Sequence, residues 1–140
     1  MMKTVLMKSN PEIKWILIDA SDHVLGRLAS KIAMILSGKT TVDYTSHLRP
    51  NLGIIVINAR LLKYTGKKLS DKIYYRHSGY TGCLKKQTLS EVISKDPAKP
   101  LFTSVKGMIS RNKLRAQSLK NLRIFSDDHN MYAQKPVKII

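Results

Sequence analysis

The fold is decided by the stretch from Trp15 to Leu36, which reads WILIDASDHVLGRLASKIAMIL. It opens on a short apolar run, which is followed by turn-like residues from Asp19 to His23. The run is too short for a core helix and rich in β-favouring side chains, so it predicts a buried strand. Apolar residues then recur at helical spacing from Leu25 to Leu36 within about 120° of arc, which predicts an amphipathic helix that ends near Gly38.

A second apolar run, GIIVIN, extends from Gly53 to Asn58 and predicts a second buried strand. A strand, a helix and another apolar strand in this order are typical of a βαβ unit, and therefore of a sheet that is at least partly parallel. Because both runs are nearly continuous rather than alternating, we expect helices to cover both faces of that sheet.

The later part of the chain carries weaker structural signals. The patterns predict an extended segment at 72–77, a helix that follows a capping box at Thr88 and Glu91, and a helix at about 100–108. If residues 111–125 were helical, their apolar side chains would spread over a wide arc and their bases would lie on nearly every side. No element is therefore assigned to them. Since no repeat or linker separates these segments, we expect a single domain over residues 1–140.

The charge of the chain is strongly positive and unevenly distributed. Lys and Arg number 25 against 9 Asp and Glu, for a formal net charge of +16. Residues 58–88 carry eight bases and one acid, and residues 106–126 carry six bases and no acid. We call these two segments the basic blocks. Because such a charge disfavours a compact state unless a polyanion neutralises it, nucleic acid is the first expected partner and an anionic membrane surface the second.

Several classes of protein are excluded or disfavoured. No apolar run approaches the ~20 residues that a membrane-spanning helix needs. Cys83 is the only cysteine, so no disulfide can form within the chain. The N-terminal sequence, MMKTVLMKSNPEIK, lacks the pattern of a secretory signal or a transit peptide, and we expect the protein to stay where it is translated.

The most unusual stretch is YYRHSGYTGCLKK, from Tyr74 to Lys86. Its aromatic rings can stack on unpaired bases, its Arg and Lys side chains can neutralise phosphates, and its glycines allow a close approach of the backbone to a polyanion. Together with the basic block around it, this composition favours contact with RNA over an ordinary turn after a tyrosine-bearing strand.

Catalysis, metal binding and lipid binding are the alternatives. A nucleic-acid-processing enzyme would have to use His77 with Cys83 or Asp71, but no acidic residue is positioned by the sequence to orient the histidine. The four histidines lack the paired spacing of zinc sites, so no metal and no cofactor is expected. The second basic block lacks tryptophan and a tight apolar arc, which disfavours an amphipathic helix lying on lipid.

Seven ordered motifs resemble a known family. They are Trp15-x-x-Ile18-Asp19-Ala20, Leu25-Gly26-Arg27-Leu28-Ala29-Ser30, Tyr44-Thr45-x-His47, Ile55-Val56-Ile57-Asn58-Ala59, Thr65-Gly66-Lys67-Lys68-Leu69, Tyr74-Tyr75-Arg76-His77-Ser78-Gly79-Tyr80 and Val105-Lys106-Gly107-Met108. In this order they resemble the bacterial-type large-subunit ribosomal protein L-thirteen family, over nearly the whole chain from Lys3 to Pro136.

The resemblance implies both a fold and a function. The fold is a three-layer α/β/α domain around a four-stranded, mostly parallel sheet. The function is that of a structural, non-enzymatic constituent of the large ribosomal subunit, in the cytoplasm or in an organelle, which binds ribosomal RNA and supports early subunit assembly for translation. The third and twentieth large-subunit proteins are implied as neighbours. No membrane, small-molecule substrate or homo-oligomer is expected.

On this hypothesis, thirteen side chains are expected to contact ribosomal RNA by neutralising phosphates or by stacking. They are Arg27, Lys67, Lys68, Tyr75, Arg76, His77, Tyr80, Lys85, Lys86, Lys106, Arg111, Lys113 and Arg115. A messenger-RNA-binding repressor of the protein's own synthesis would use the same basic surface, so the sequence leaves that second role open.

Overall fold

The computed structural model describes residues 13–42, 44–48 and 50–128 and the backbone of residues 138–139. The strands are β1 (Lys14–Asp19), β2 (Leu52–Ile57), β3 (Ile73–His77), β4 (Leu84–Thr88), β5 (Leu122–Ile124) and β6 (Lys138–Ile139). The helices are α1 (Leu25–Leu36), α2 (Lys68–Asp71), α3 (Leu89–Lys95), α4 (Ala98–Met108) and α5 (Leu114–Lys120). The two ends of the family resemblance, at 3–12 and 129–136, lie outside the described residues.

The strands form two separate sheets. The larger has the order β5-β2-β1-β6 with every neighbouring pair parallel, and β6 adds only two residues opposite Ile16 and Leu17. The smaller is an antiparallel pair of β3 and β4. The α/β class and the βαβ unit are therefore confirmed. The larger sheet has four parallel strands, but β6 adds only two residues to it, and the hairpin forms a second, antiparallel sheet that the sequence did not predict.

One face of the parallel sheet carries the main core. Ile18, Ile54, Val56 and Leu122 project from this face into a cluster that includes the buried sides of α1 and α4. The predicted face of α1 is the buried one, and Arg27, Lys31 and Met34 are exposed on its other side. Burial of this apolar stripe is what holds the helix against the sheet, since helices in proteins gain most of their stability from packing.

The opposite face of the sheet carries a second, smaller cluster. Trp15, Ile55 and Ile57 are buried there, with Leu17 and Phe125 packed against them. The Trp15 ring lies across Gly53 of the neighbouring strand, where a Cβ would come within 2.5 Å of the ring. No helix of the described ranges belongs to this cluster, so a helical layer on this face, and with it the three-layer arrangement, stays a prediction.

A hydrogen-bonded connection joins the carboxyl ends of β1 and β2. The Asp19 carboxylate accepts hydrogen bonds at Oδ1 from the Ser21 backbone N–H (3.0 Å) and from the Asn58 side-chain amide (3.1 Å). Asn58 adopts the left-handed conformation, with φ of 59°, which asparagine tolerates better than most residues. The Ser21 N–H and the Asn58 amide together hold the pKa of Asp19 below its ordinary value.

This connection makes stability depend on pH in the acid range. Because the pKa of Asp19 is lower in the folded state, its contribution to stability is present above the ordinary aspartate pKa and is lost as the pH falls through the folded pKa. We expect urea unfolding below about pH 4 to show a smaller loss of stability in an Asp19→Asn variant than in the native chain. Equal acid losses in the two proteins would contradict this assignment.

Helix α3 begins at the predicted capping box. The Thr88 hydroxyl accepts a hydrogen bond from the Glu91 backbone N–H at 3.4 Å, and the helix ends at Lys95, before Pro97 as expected. Thr88→Ala should lower the free energy of unfolding by about 1 kcal/mol, because it leaves that N–H without its cap. Chemical denaturation would measure the loss, and Thr88→Ser, which keeps the hydroxyl, should retain most of the stability. A serine variant as unstable as the alanine variant would rule out the cap as the cause.

Candidate nucleic-acid interface

The hairpin of β3 and β4 presents the most distinctive side chains of the sequence. Its register pairs Tyr75 with Lys86 and Arg76 with Lys85. The connecting residues 78–83 include Gly79 and Gly82, whose φ angles of 101° and 78° lie in the region that glycine adopts without strain. Tyr75 and Tyr80 are 61% and 79% exposed, so both rings are free to meet a partner.

The two faces of this hairpin differ in chemistry. Residues directly opposite one another in an antiparallel pair point to the same side, and successive residues alternate. Tyr75, His77, Leu84 and Lys86 therefore share one face, and the Lys86 Nζ lies 5.9 Å from the centroid of the Tyr75 ring. Arg76 and Lys85 share the other face with Tyr74 and Gln87.

Tyr74 is turned toward the body of the domain and is not free like its neighbour Tyr75. Burial raises the pKa of Tyr74, and its hydroxyl is buried with no hydrogen-bond partner in the described part of the chain. Burial, and secondarily the nearby Tyr74, raises the pKa of Tyr64, which packs against the main core. The Lys72 Nζ lies 5.5 Å from the centroid of the Tyr74 ring. Tyr74 therefore helps to anchor the hairpin.

The candidate catalytic residues of this segment are not joined to one another. His77 Nδ1 accepts a hydrogen bond from the Gly79 backbone N–H at 2.9 Å, and the Asp71 carboxylate accepts one from the Ser70 hydroxyl at 2.8 Å. Cys83 is exposed and free. Within residues 71–83, all of which are described, no hydrogen bond connects His77 to Cys83 or to Asp71. His77 is therefore not paired with either of the two residues that the sequence offered as its catalytic partners.

The second group of predicted contact residues lies where α4 ends and α5 begins. Lys106, Arg111 and Lys113 are exposed around this turn, which we call the α4–α5 turn. Arg115 is only half-exposed, and its guanidinium donates a hydrogen bond to the Lys106 carbonyl oxygen. Its backbone N–H also donates to the Asn112 side chain at 3.1 Å. Arg115 thus fixes the shape of the turn while the other three bases face outward.

The remaining predicted residues lie on two helices. Lys67 and Lys68 are exposed at the start of α2, which contacts both β4 and α3 and so lies at the base of the hairpin. Helix α3 also contacts α4, and therefore lies between the hairpin and the helix that leads to the α4–α5 turn. Arg27 is on the exposed side of α1, on a different element from the hairpin and the α4–α5 turn.

Within the described part of the chain, the bases of the hairpin and of the α4–α5 turn have no acidic partner. The described residues contain two ion pairs, Arg60 with Asp127 at 3.3 Å and Lys63 with Asp22 at 3.1 Å. Neither pair includes any of the thirteen predicted contact residues. Their charge is consequently available to an external anion, as expected of a surface that binds a polyanion.

Two side chains lie in positions that the sequence alone did not indicate, one on the hairpin and one on the parallel sheet. Leu84 is half-exposed opposite His77, on the face of the hairpin that carries Tyr75, and only the strand pairing reveals this position. Arg123, although it belongs to the second basic block, lies over the Trp15 ring at 4.9 Å from the ring centroid. It packs on the second face of the sheet, and nothing in the local sequence signals that contact.

The described residues offer no candidate for two other kinds of site. No group of three or more His, Cys, Asp or Glu side chains there could hold a metal ion. Among the same residues, no helix is both long enough and apolar enough to cross a membrane.

Comparison with known proteins agrees with the resemblance in the motifs. The family described as Ribosomal protein L13 matches residues 13–131. The chain is 42% identical to large ribosomal subunit protein uL13 of Wigglesworthia glossinidia brevipalpis, over 99% of each chain. It is 44% identical to the protein of the same name from Lachnospira eligens, over 96% of each chain, and 43% identical to that of Thermotoga petrophila, over 98% of this chain and 93% of the other. The chain therefore belongs to the ribosomal protein L13 family, a family of structural ribosomal proteins and not of enzymes.

Proposed function

We propose that the protein is a constituent of the large ribosomal subunit that binds large-subunit ribosomal RNA and supports early assembly of the subunit. The observation that carries this proposal is the set of exposed bases on the hairpin and the α4–α5 turn, none of which is held by an acidic side chain of the described chain. The name of the relatives, large ribosomal subunit protein, supports the same assignment and its location in the ribosome.

The mechanism of binding follows from the residue types. Arg76, Lys85 and Lys86 on the hairpin, and Lys106, Arg111 and Lys113 at the turn, would neutralise phosphates of closely packed RNA. Each such contact releases condensed counterions, so the affinity should fall as the salt concentration rises. Lys67, Lys68 and Arg27 would extend this surface. Tyr75, His77 and Tyr80 would add stacking or hydrogen bonds to the 2′-hydroxyl group.

Some finer parts of the proposal rest on the family resemblance alone. They are the third and twentieth large-subunit proteins as neighbours and the expectation that the chain forms no homo-oligomer. A helical layer on the second face of the sheet is expected both from the resemblance and from the continuous apolar runs of β1 and β2. A role as a repressor that binds its own messenger RNA would use the same exposed bases. Competition between ribosomal RNA and the messenger leader for the purified protein would test that role.

Sedimentation of cell extracts through a density gradient tests the main proposal. At low salt, the protein is expected to travel with the large subunit. At high salt, any fraction held only by phosphate contacts should be released toward the top of the gradient. A protein that stays at the top of the low-salt gradient is not a subunit constituent, and that result would overturn the proposal.

A further inference from the structure

We propose that the β3–β4 hairpin inserts into an unpaired region of RNA, with Tyr75 stacking on a base on one side and Arg76 and Lys85 holding phosphates on the other. This inference deepens the proposed function and rests on it, since it specifies the kind of RNA structure that the hairpin would bind.

The face that carries Tyr75 is an exposed aromatic and apolar surface. Tyr75 is 61% exposed, and Leu84 and Ile73 on the same face are 50% and 41% exposed. A flat ring beside an aliphatic side chain suits a nucleobase, because every base presents a π-face and stacking tolerates any sequence. The Lys86 Nζ lies over the same ring, 5.9 Å from its centroid, and would lie near the phosphate of a nucleotide stacked against that ring.

His77 adds a donor to this face. Its Nδ1 accepts a hydrogen bond from the Gly79 N–H, so Nε2 is the ring nitrogen that remains able to donate. That hydrogen bond also fixes the orientation of the ring. His77 would therefore offer one oriented donor, suited to a base edge, a phosphate oxygen or a 2′-hydroxyl group.

The opposite face supplies charge. Arg76 and Lys85 lie directly across from one another there, and both are exposed. Residues 72–88 contain four bases and no acid, so an anionic partner is favoured over another protein surface. Because the two faces point in opposite directions, a single nucleotide cannot contact both of them. Tyr74 and Gln87 of the charged face are half-buried near the base of the hairpin, whereas Arg76 and Lys85 are exposed nearer the turn. RNA would therefore reach both faces only at the outer end of the hairpin.

A continuous RNA duplex does not suit such contacts on both faces. The major groove of A-form RNA is deep and narrow, and its minor groove is shallow, whereas loops and junctions hold splayed, unstacked bases between separated strands. An internal loop or a junction therefore fits a two-faced hairpin better than a regular helix does.

The test uses the full-length protein and two labelled RNAs, a continuous duplex and the same duplex interrupted by a purine-rich internal loop. Anisotropy titrations would compare the native chain with Tyr75→Leu, Tyr75→Phe and Arg76→Gln. We expect the native chain to prefer the looped RNA. Tyr75→Leu should weaken binding to the looped RNA about fivefold or more and leave duplex binding unchanged. Tyr75→Phe keeps the ring and should bind like the native chain, whereas Arg76→Gln should weaken binding to both RNAs.

The possible failures are distinguishable. If Tyr75→Leu weakens binding to both RNAs equally, or to neither, the stacking assignment is wrong while RNA binding itself stands. If Tyr75→Leu binds both RNAs normally but is poorly incorporated into large subunits, the occupant of this face is a protein. If the native chain binds neither RNA, the proposed function fails together with this inference. Because Tyr75 is exposed, its replacement should leave the fold intact, and circular dichroism would verify this.

Discussion

Replacement of Leu28 by alanine is expected to lower the free energy of unfolding by about 2–5 kcal/mol. Leu28 is 1% exposed on the side of α1 that packs in the main core with α4 and the sheet. The substitution removes apolar contacts and leaves a cavity that tightly packed neighbours fill only in part. Against a total stability of about 5–15 kcal/mol for a typical domain, this loss is large enough to appear as a clear shift in the urea midpoint.

The matched control is Met34→Ala on the same helix. Met34 is 49% exposed and lies on the opposite side of α1, so the same kind of truncation removes little buried surface. Its effect should remain within about 0.5 kcal/mol. Equal losses for the two variants would mean that α1 does not pack on the sheet through the Leu28 side.

The second large effect concerns RNA binding through the α4–α5 turn. A triple variant with Lys106→Gln, Arg111→Gln and Lys113→Gln removes three exposed bases that have no acidic partner in the described chain. If each base neutralises one phosphate, the slope of log affinity against log salt should become shallower by about 2–3, because each lost contact contributes about 0.7–0.9. Filter binding of large-subunit ribosomal RNA over a salt series measures this slope.

A control triple variant separates a local surface from general attraction. Lys14→Gln, Lys95→Gln and Lys99→Gln remove the same formal charge from exposed positions outside both basic blocks. This variant should keep the native slope. If the slope becomes shallower by the same amount in both triple variants, the affinity reflects the net charge of the protein, and the α4–α5 turn has no special role.

The βαβ unit could be predicted because its signals are local. The apolar stripe of α1 and the apolar runs of β1 and β2 each indicate which side chains are buried. A polar side chain at a buried position of these elements would destabilise the fold, so the pattern is kept in the sequence. The capping box at Thr88 is local for the same reason, because its hydrogen bond closes within one turn.

The strands that the sequence did not predict depend on distant partners. β5 is three residues long with Arg123 at its centre, and only its pairing with β2 makes it a strand. β4 reads LKKQT and has no buried face that would produce alternation, so its register comes from β3 across the turn. A strand defined by its neighbour leaves little signal in its own residues.

The candidate interface was likewise predictable only where its signals are local in the sequence. The hairpin and the α4–α5 turn lie within the two basic blocks, which can be recognised in the sequence because they contain many bases and almost no acids. This composition could not separate Tyr74 from Tyr75, or Arg115 from Arg111, since these neighbours differ only in the tertiary contacts that they make. Residue-level contacts with RNA stay predictions until the variants above are measured.

Because the hairpin and the parallel sheet are separate, we expect them to differ in local unfolding and in their tolerance of substitutions. Amides of β2, which pairs on both sides, should exchange with deuterium only when the whole domain unfolds, whereas those of the hairpin should exchange through local opening. The hairpin can therefore accept substitutions at Tyr75, Arg76 or Lys85 without lowering the stability of the core. The hairpin could therefore change in evolution together with the RNA that it contacts, while the parallel sheet and its helices continue to fold.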